Sequence, residues 1–217
     1  MKKLLIAGIM LWSLVGCKKA EIEPDTLSNT FWTGFFIYDG VKQAGLFSPL
    51  KQAFGMEFLS GGEFRFYESV GVSAGKWTLN QDKTITVNQD NKNVITFQYD
   101  AQSQGITFLK MQGSPAPWRA LEIEQYMTKD AISNIENVIW NDGVASPITV
   151  KLEPTPKVEG YQNSWPATIK NNLIWGKKQF GASVSHFLYM YRAKEDWLWG
   201  TAIFNDNTGT IYPHRRR

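Results

Sequence analysis

Between Lys76 and Met111 the chain consists of short alternating runs separated by polar turns. The runs are Lys76–Leu79, Thr84–Val87, Val94–Tyr99 and Ile106–Met111, and the turns are Asn80–Lys83, Asn88–Asn93 and Asp100–Gly105. Alternation with period two, repeated about every ten residues, marks consecutive antiparallel strands. The pattern predicts a meander in which Trp77, Leu79, Ile85, Val87, Ile95, Phe97 and Tyr99 share an interior face. Composition agrees: aromatics make up 14% of the chain, with nine Trp, and such residues favour pleated surfaces.

The flanking sequence extends this reading. Phe31–Tyr38 is apolar at successive positions, which predicts a strand buried on both faces or a barrel stave. Val41–Ala53 reads as a loop broken by Pro49 or a short helical lid. Gly55–Ser60 and Glu63–Glu68 flank Gly61-Gly62, a hairpin signal whose turn tolerates positive φ. Gly71–Gly75 reads as a small-residue loop without a phosphate-binding signature. Gly113–Pro117 interrupts the pattern, and Trp118–Met127 resumes it as a strand. Lys129–Val138 is the one helix candidate, with Ile132, Ile135 and Ile139 at i, i+3 and i+7. Thr128 can cap it, or Ser133–Glu136 can form a capping box further in. Ile148–Leu152 is a short strand and Glu153–Pro166 a long proline-bearing loop. Ala167–Trp175, Ser183–Tyr191, Leu198–Phe204 and Thr210–Tyr212 read as strands, and Arg215–Arg217 as a solvated basic terminus. The predicted class is mainly β, an antiparallel meander closing into a barrel or related β-sandwich, with one short helix.

The chain begins Met1-Lys2-Lys3, continues with an apolar run from Leu4 to Trp12, and reaches Leu14-Val15-Gly16-Cys17, which holds its one cysteine. A basic start, a short apolar run and small residues before a cut site make a secretory signal. Leu14–Cys17 resembles the lipobox of bacterial lipoproteins. That resemblance implies removal of residues 1–16, a lipid on the Cys17 sulfur and an acylated N-terminus of the palmitate type. Two or more acyl chains hold a protein stably, at ~0.8 kcal/mol per buried CH₂. Residues 17–28 then form a polar tether carrying Pro24. Lys18 and Lys19 stand where Asp would signal inner-membrane retention, which points to the outer membrane of a Gram-negative envelope. With Cys17 acylated, no thiol remains for a disulfide.

Trp32-Thr33-Gly34, Gly75–Leu79 and Asp82–Val87 together resemble lipocalin-like lipoproteins of Gram-negative envelopes, over about Thr30 to Gly113. The resemblance implies an up-and-down barrel whose calyx holds one small ligand. Trp32, Phe36, Phe66, Trp77 and Tyr99 are then the candidate lining residues; core filling is the plainer role for each. Residues 29–217 make one β domain, or a lipocalin-like half at 29–113 and a second β half at 114–217.

The search for chemistry is short. His186 and His214 are the two histidines; far apart in sequence, they make no spaced metal site. No nucleophile elbow, phosphate loop or dinucleotide fingerprint is present. Glu122/Glu124 and Glu195/Asp196 could form carboxylate pairs, but both read as solvated faces. Removing residues 1–16, which hold Lys2, Lys3 and no acid, leaves 21 basic residues against 20 acidic ones, too balanced for a nucleic-acid binder. Trp165, Trp175, Trp197 and Trp199 cluster late in the chain and could form a platform for sugar rings. The expectation is a membrane-anchored, non-catalytic protein without cofactor that binds a small apolar or amphipathic molecule. Its partner is the bilayer, through Cys17. Surface glycan capture, a structural or partner-binding role in envelope assembly, and hydrolysis follow in that order.

Overall fold

The computed structural model describes residues 26–38, 50–90, 93–113, 118–141, 147–160, 163–180, 182–203 and 209–216. Cys17, the lipobox and the segment 41–49 lie outside the described residues.

Among the described residues, sixteen strands form two successive antiparallel units. The first holds β1 (Thr30–Tyr38), β2 (Leu50–Phe58), β3 (Glu63–Glu68), β4 (Gly71–Leu79), β5 (Thr84–Gln89), β6 (Asn93–Asp100), β7 (Gly105–Gln112) and β8 (Trp118–Gln125). Its order is β7-β6-β5-β4-β3-β2-β1-β8, and the edge strands β7 and β8 come back against one another. The sheet is therefore an eight-stranded, barrel-like meander of the expected class. The second unit holds β9 (Ile139–Asn141), β10 (Ile148–Lys151), β11 (Lys157–Gly160), β12 (Asn163–Lys170), β13 (Leu173–Phe180), β14 (Ser183–Arg192), β15 (Trp197–Ile203) and β16 (Gly209–Arg216). It closes fully, because β9 pairs with both β10 and β16. The division falls between Gln125 and Ile139, so β8 belongs to the first unit although it follows Gly113.

Local chemistry explains the turns. Gly61 and Gly62 take φ 73° and 74° between β2 and β3, a region that costs an L side chain. Asp82 accepts bonds from the Thr84 amide at 3.0 Å and hydroxyl at 2.7 Å, which reverses the chain into β5. Asp100 does the same for the Gln102 amide and Ser103 hydroxyl at 3.0 and 2.7 Å.

Several expectations are corrected. Gly71–Gly75 is the first half of β4, where Gly75 lies so close to β5 that a Cβ would sit 2.2 Å from the Asn88 carbonyl oxygen. The helix expected at Lys129–Val138 is two 3-10 turns, Thr128–Asp130 and Ile132–Ile135. Ala131 is extended between them, Asn134 donates to the Thr128 and Lys129 carbonyls, and Asn137 takes φ 62°. The i, i+3 pair survives because a 3-10 turn repeats every three residues: Ile132 and Ile135 are fully buried, whereas Ile139 is 46% exposed in β9. The loop expected at Glu153–Pro166 contains β11 and the start of β12, where Val158 faces Trp165. A proline removes one ladder donor and leaves neighbouring pairs intact. Ala167–Trp175 is a hairpin, turned by Asn171 at φ 54°. Arg215 and Arg216 are exposed, as expected of a solvated terminus, but they end β16 rather than trail from it, with their guanidiniums over the rings of Trp197 and Trp140 at 5.0 and 5.9 Å.

Three clusters make the core. The first barrel is filled by Trp32, Phe36, Phe54, Phe58, Phe66, Phe97 and their neighbours. The second is filled by Trp140, Trp165, Ile174, Phe187, Tyr191 and others, with Ile132 and Ile135 packed against one end. The third cluster joins the barrels: Phe31, Phe35, Ala53 and Tyr67 meet Leu173, Leu188 and Met190. β1 thus buries both faces, as its unbroken apolar run predicts, with Trp32 and Phe36 inward and Phe31 and Phe35 in the seam. Gly55 makes the close approach possible, since a Cβ there would lie 2.5 Å from Leu173 Cδ1 and 2.9 Å from Phe31 Cζ.

Candidate functional site

The five candidate lining residues do converge. Trp32, Phe36, Phe66, Trp77 and Tyr99 all belong to the first-barrel cluster, at 2, 3, 2, 6 and 3% exposure. They meet ring on ring: Phe36 stacks on Phe54 at 4.3 Å and lies 5.7 Å from Phe66, and Trp77 meets Phe58 edge-on at 5.5 Å. The two indole nitrogens are satisfied locally. The Trp32 indole donates to Thr30 Oγ1 and the Trp77 indole to the Leu59 carbonyl, both at 2.9 Å. Aromatic contacts at these spacings fill space rather than enclose it.

The tryptophan platform is not formed. Trp165 is inside the second barrel. Trp175 packs on Tyr67 at 5.7 Å and Trp199 on Phe35 at 5.2 Å, both in the seam. Trp197 lies beneath Arg215. Trp197 also meets Trp199 at 5.2 Å, so one ring lies inside the barrel and three lie on its outer face, packed against other side chains rather than laid out as a flat surface for a glycan.

The carboxylates expected on solvated faces have a structural task. Glu122, Glu124 and Glu195 surround the guanidinium of Arg192 at 2.5, 2.6 and 3.3 Å, and Arg192 is 5% exposed. The β1–β8 register shifts here, with Glu122 and Ile123 opposite Gly34. Glu122 takes φ 52° at this bulge, which aims its side chain at the second barrel. Across the seam, Glu57 accepts bonds from Lys170 Nζ at 2.6 Å and from the Tyr67 hydroxyl at 2.7 Å. Burial, and then the Glu57 carboxylate, push the Tyr67 phenol up to about 12. These groups bind the barrels together, each carboxylate against a cation. Among the described residues no group of three or more His, Cys, Asp or Glu could hold a metal ion, and no helix is long and apolar enough to cross a membrane.

An open groove of about 440 Å³ lies on the outside of the first barrel, between Glu63, Arg65, Ala74, Lys76, Asn88 and Asp90. The exposed Lys76–Glu63 pair at 3.4 Å occupies its wall. Its lining is about evenly polar and apolar, with Leu59 and Phe64 at its floor, and it stands open to solvent.

The second barrel is also packed ring on ring, with Phe187 on Tyr189 at 5.4 Å and Trp140 on Tyr191 at 6.0 Å, but a lysine shares its interior. Ile174, Gly176 and Lys178 alternate along β13, and Ser185, Phe187, Tyr189 and Tyr191 along β14. Ile174, Phe187, Tyr189 and Tyr191 are core members, so the register carries Lys178 and its partner Ser185 to the same inner face. The Lys178 ammonium lies 4.8, 5.5 and 5.3 Å from the rings of Trp165, Phe187 and Tyr189 and donates to the Tyr189 hydroxyl oxygen at 2.8 Å. Gly176 lets its neighbours close in: a Cβ there would lie 2.4 Å from the Pro166 carbonyl oxygen and 2.9 Å from Phe187 Cζ. Ile132 pairs through its amide with the Asn171 carbonyl, so the isoleucine-plugged end is the Asn171 end of β13 and Lys178 lies toward the other. The interior therefore runs from wholly apolar to cationic and hydroxylated over roughly four residues, about 13 Å. The sequence reading ends this strand at Trp175 and so does not reach Lys178; the alternation from Ile174 through Gly176 was the signal that could have found it. Comparison with known proteins supplies no relative: no family model, curated protein or solved structure matches this chain.

Proposed function

We propose that this protein is a lipid-anchored envelope protein that binds a small amphipathic molecule without chemically changing it, and that the second barrel holds the ligand. The Leu14–Cys17 motif behind an apolar leader supports the anchor. The observation that carries the binding reading is the polarity gradient inside the second barrel. Ile132, Ile135, Trp140 and Ile174 stand at one end, and Lys178, Ser185 and the Tyr189 hydroxyl at the other. Pockets for small amphipaths combine apolar walls with a few fixed polar anchors. The first barrel serves as the packed support on which the second is mounted.

Two experiments test this. Native mass spectrometry of the chain from position 17 on, carrying Cys17→Ser and incubated with an envelope lipid extract, should show an added mass that disappears on denaturation. A bare protein mass would sink the binding reading. Cys17→Ala in the full chain should move the protein from the membrane to the soluble fraction; retention in the membrane would sink the anchor.

A further inference from the structure

The outer wall of the first barrel carries a second site, separate from the interior of the second barrel. The groove of about 440 Å³ over β3, β4 and β5 is in the size range of small-ligand sites, about 300–1,000 Å³. It exists because β4 is small where its neighbours are large. Phe64, Phe66, Trp77 and Val87 point into the core, so alternation turns Arg65, Ala74, Lys76 and Asn88 outward, and all four are exposed. Two cross-strand rows result. Glu63, Lys76 and Asn88 stand opposite one another in the first. In the second, Arg65 faces Ala74, and Asp90 closes the far side. Arg65 and Asp90 thus flank a methyl group across two strand spacings, about 10 Å. The Asp90 carboxylate is fixed there, because its Oδ2 accepts the Ala74 amide at 3.1 Å. Lys76 holds Glu63 at 3.4 Å, and Arg65 reaches Glu57 at 3.9 Å.

We propose that this groove binds a neutral saccharide of one or two hexose rings. Each cation has a carboxylate beside it, so the groove sets up little net field. An ionic ligand would meet a like charge wherever it met an opposite one. Donors on Lys76, Arg65 and Asn88 alternate with acceptors on Glu63, Asp90 and Asn88. A sugar hydroxyl donates and accepts at once, and vicinal hydroxyls present two such groups side by side. A hexose therefore satisfies both kinds of partner without a charge of its own. Its bonds to ionised groups are roughly twice as strong as neutral ones. Because the groove is open, those groups stay hydrated on their far side and little desolvation opposes binding. The C–H face of the ring rests on the Ala74 methyl group.

The test is a proton–nitrogen NMR titration of the chain from position 17 on with Cys17→Ser. The neutral probes are methyl glucoside, methyl galactoside, methyl mannoside and maltose; glucosamine and glucuronate carry one charge, and dialanine is a zwitterion. At least one neutral probe should shift the amides of Ala74, Lys76, Asn88 and Asp90 with a Kd on the order of 1 mM, and bind at least about threefold more tightly than the charged probes and dialanine. Ala74→Leu fills the groove and touches no polar partner, so it should weaken binding about tenfold or more. Ala74 is exposed, so thermal melting of that variant should stay at the parent value. Asp90→Asn keeps an acceptor for the Ala74 amide and removes the charge; it should weaken binding about threefold. Absence of shifts with every neutral probe would overturn the proposal and leave the second-barrel reading standing. Tighter binding of a charged probe or of dialanine would overturn it by making the groove an ion site. Shifts that survive both Ala74→Leu and Asp90→Asn would overturn it by placing the sugar elsewhere.

Discussion

Alkaline pH should loosen the joint between the barrels, and Tyr67 sets the range. Its ring is 4% exposed in the seam, and its hydroxyl donates to Glu57 Oε2 at 2.7 Å. Burial first, and the neighbouring carboxylate second, raise the phenol from 10.0 to about 12. Between those values the folded protein keeps a proton that the unfolded chain has released, so stability falls as pH rises. The contribution is complete below the unfolded value of 10.0 and is lost as pH passes about 12. Two pH units amount to about 2.7 kcal/mol, of which about 2 kcal/mol has gone at the folded midpoint. Tyr126 and Tyr191 are also raised, each first by burial, so the total loss is larger and a variant must isolate Tyr67. Tyr67→Phe removes a hydrogen bond to a charged group and should cost about 1.5–3 kcal/mol at neutral pH. It also removes this titration. Urea unfolding of both proteins from about pH 9 to about pH 12 should show the gap between them shrinking by about 2 kcal/mol. A gap that stays constant across that range would refute the coupling of Tyr67 to the seam.

Two further perturbations address the seam. Gly55→Val should destabilise by about 1–3 kcal/mol through overpacking against Leu173 and Phe31, and adding Leu173→Ala should recover part of that loss; strict additivity in the double-mutant cycle would contradict the contact. Arg192→Ala should cost about 3 kcal/mol, because it strips the cation from three carboxylates and uncovers Phe35. Arg192→Lys should recover only part of it, since an ammonium lacks the fork that reaches all three partners. A loss below about 1 kcal/mol on denaturant unfolding of Arg192→Ala would mean that the exposed carboxylates rehydrate fully and the cluster adds little.

Sequence alone determined that this chain is a succession of antiparallel strands. Alternation such as Thr84–Val87 and turn chemistry such as Asp82 and Gly61-Gly62 act over a few residues, and short-range rules read them correctly. The burial of β1 on both faces was legible for the same reason: Phe31, Trp32, Phe35 and Phe36 leave no face for water. The membrane anchor, carried by Leu14–Cys17, is likewise a property of local sequence and stays a proposal.

Tertiary structure decided everything that depends on register. Whether Trp165 or Trp199 is a surface platform depends on which neighbour each strand pairs with, and the pairing puts one inside a barrel and the other in the seam. A one-residue shift moves every side chain to the opposite face, so the inward placement of Lys178 and the outward placement of Lys177 were open until β13 met β14. The convergence of Glu122 and Glu124 on Arg192 joins residues about 70 positions apart, and no local pattern encodes such a meeting. Composition and periodicity specify what each segment can bury; only the strand order and register of the two sheets specify against what.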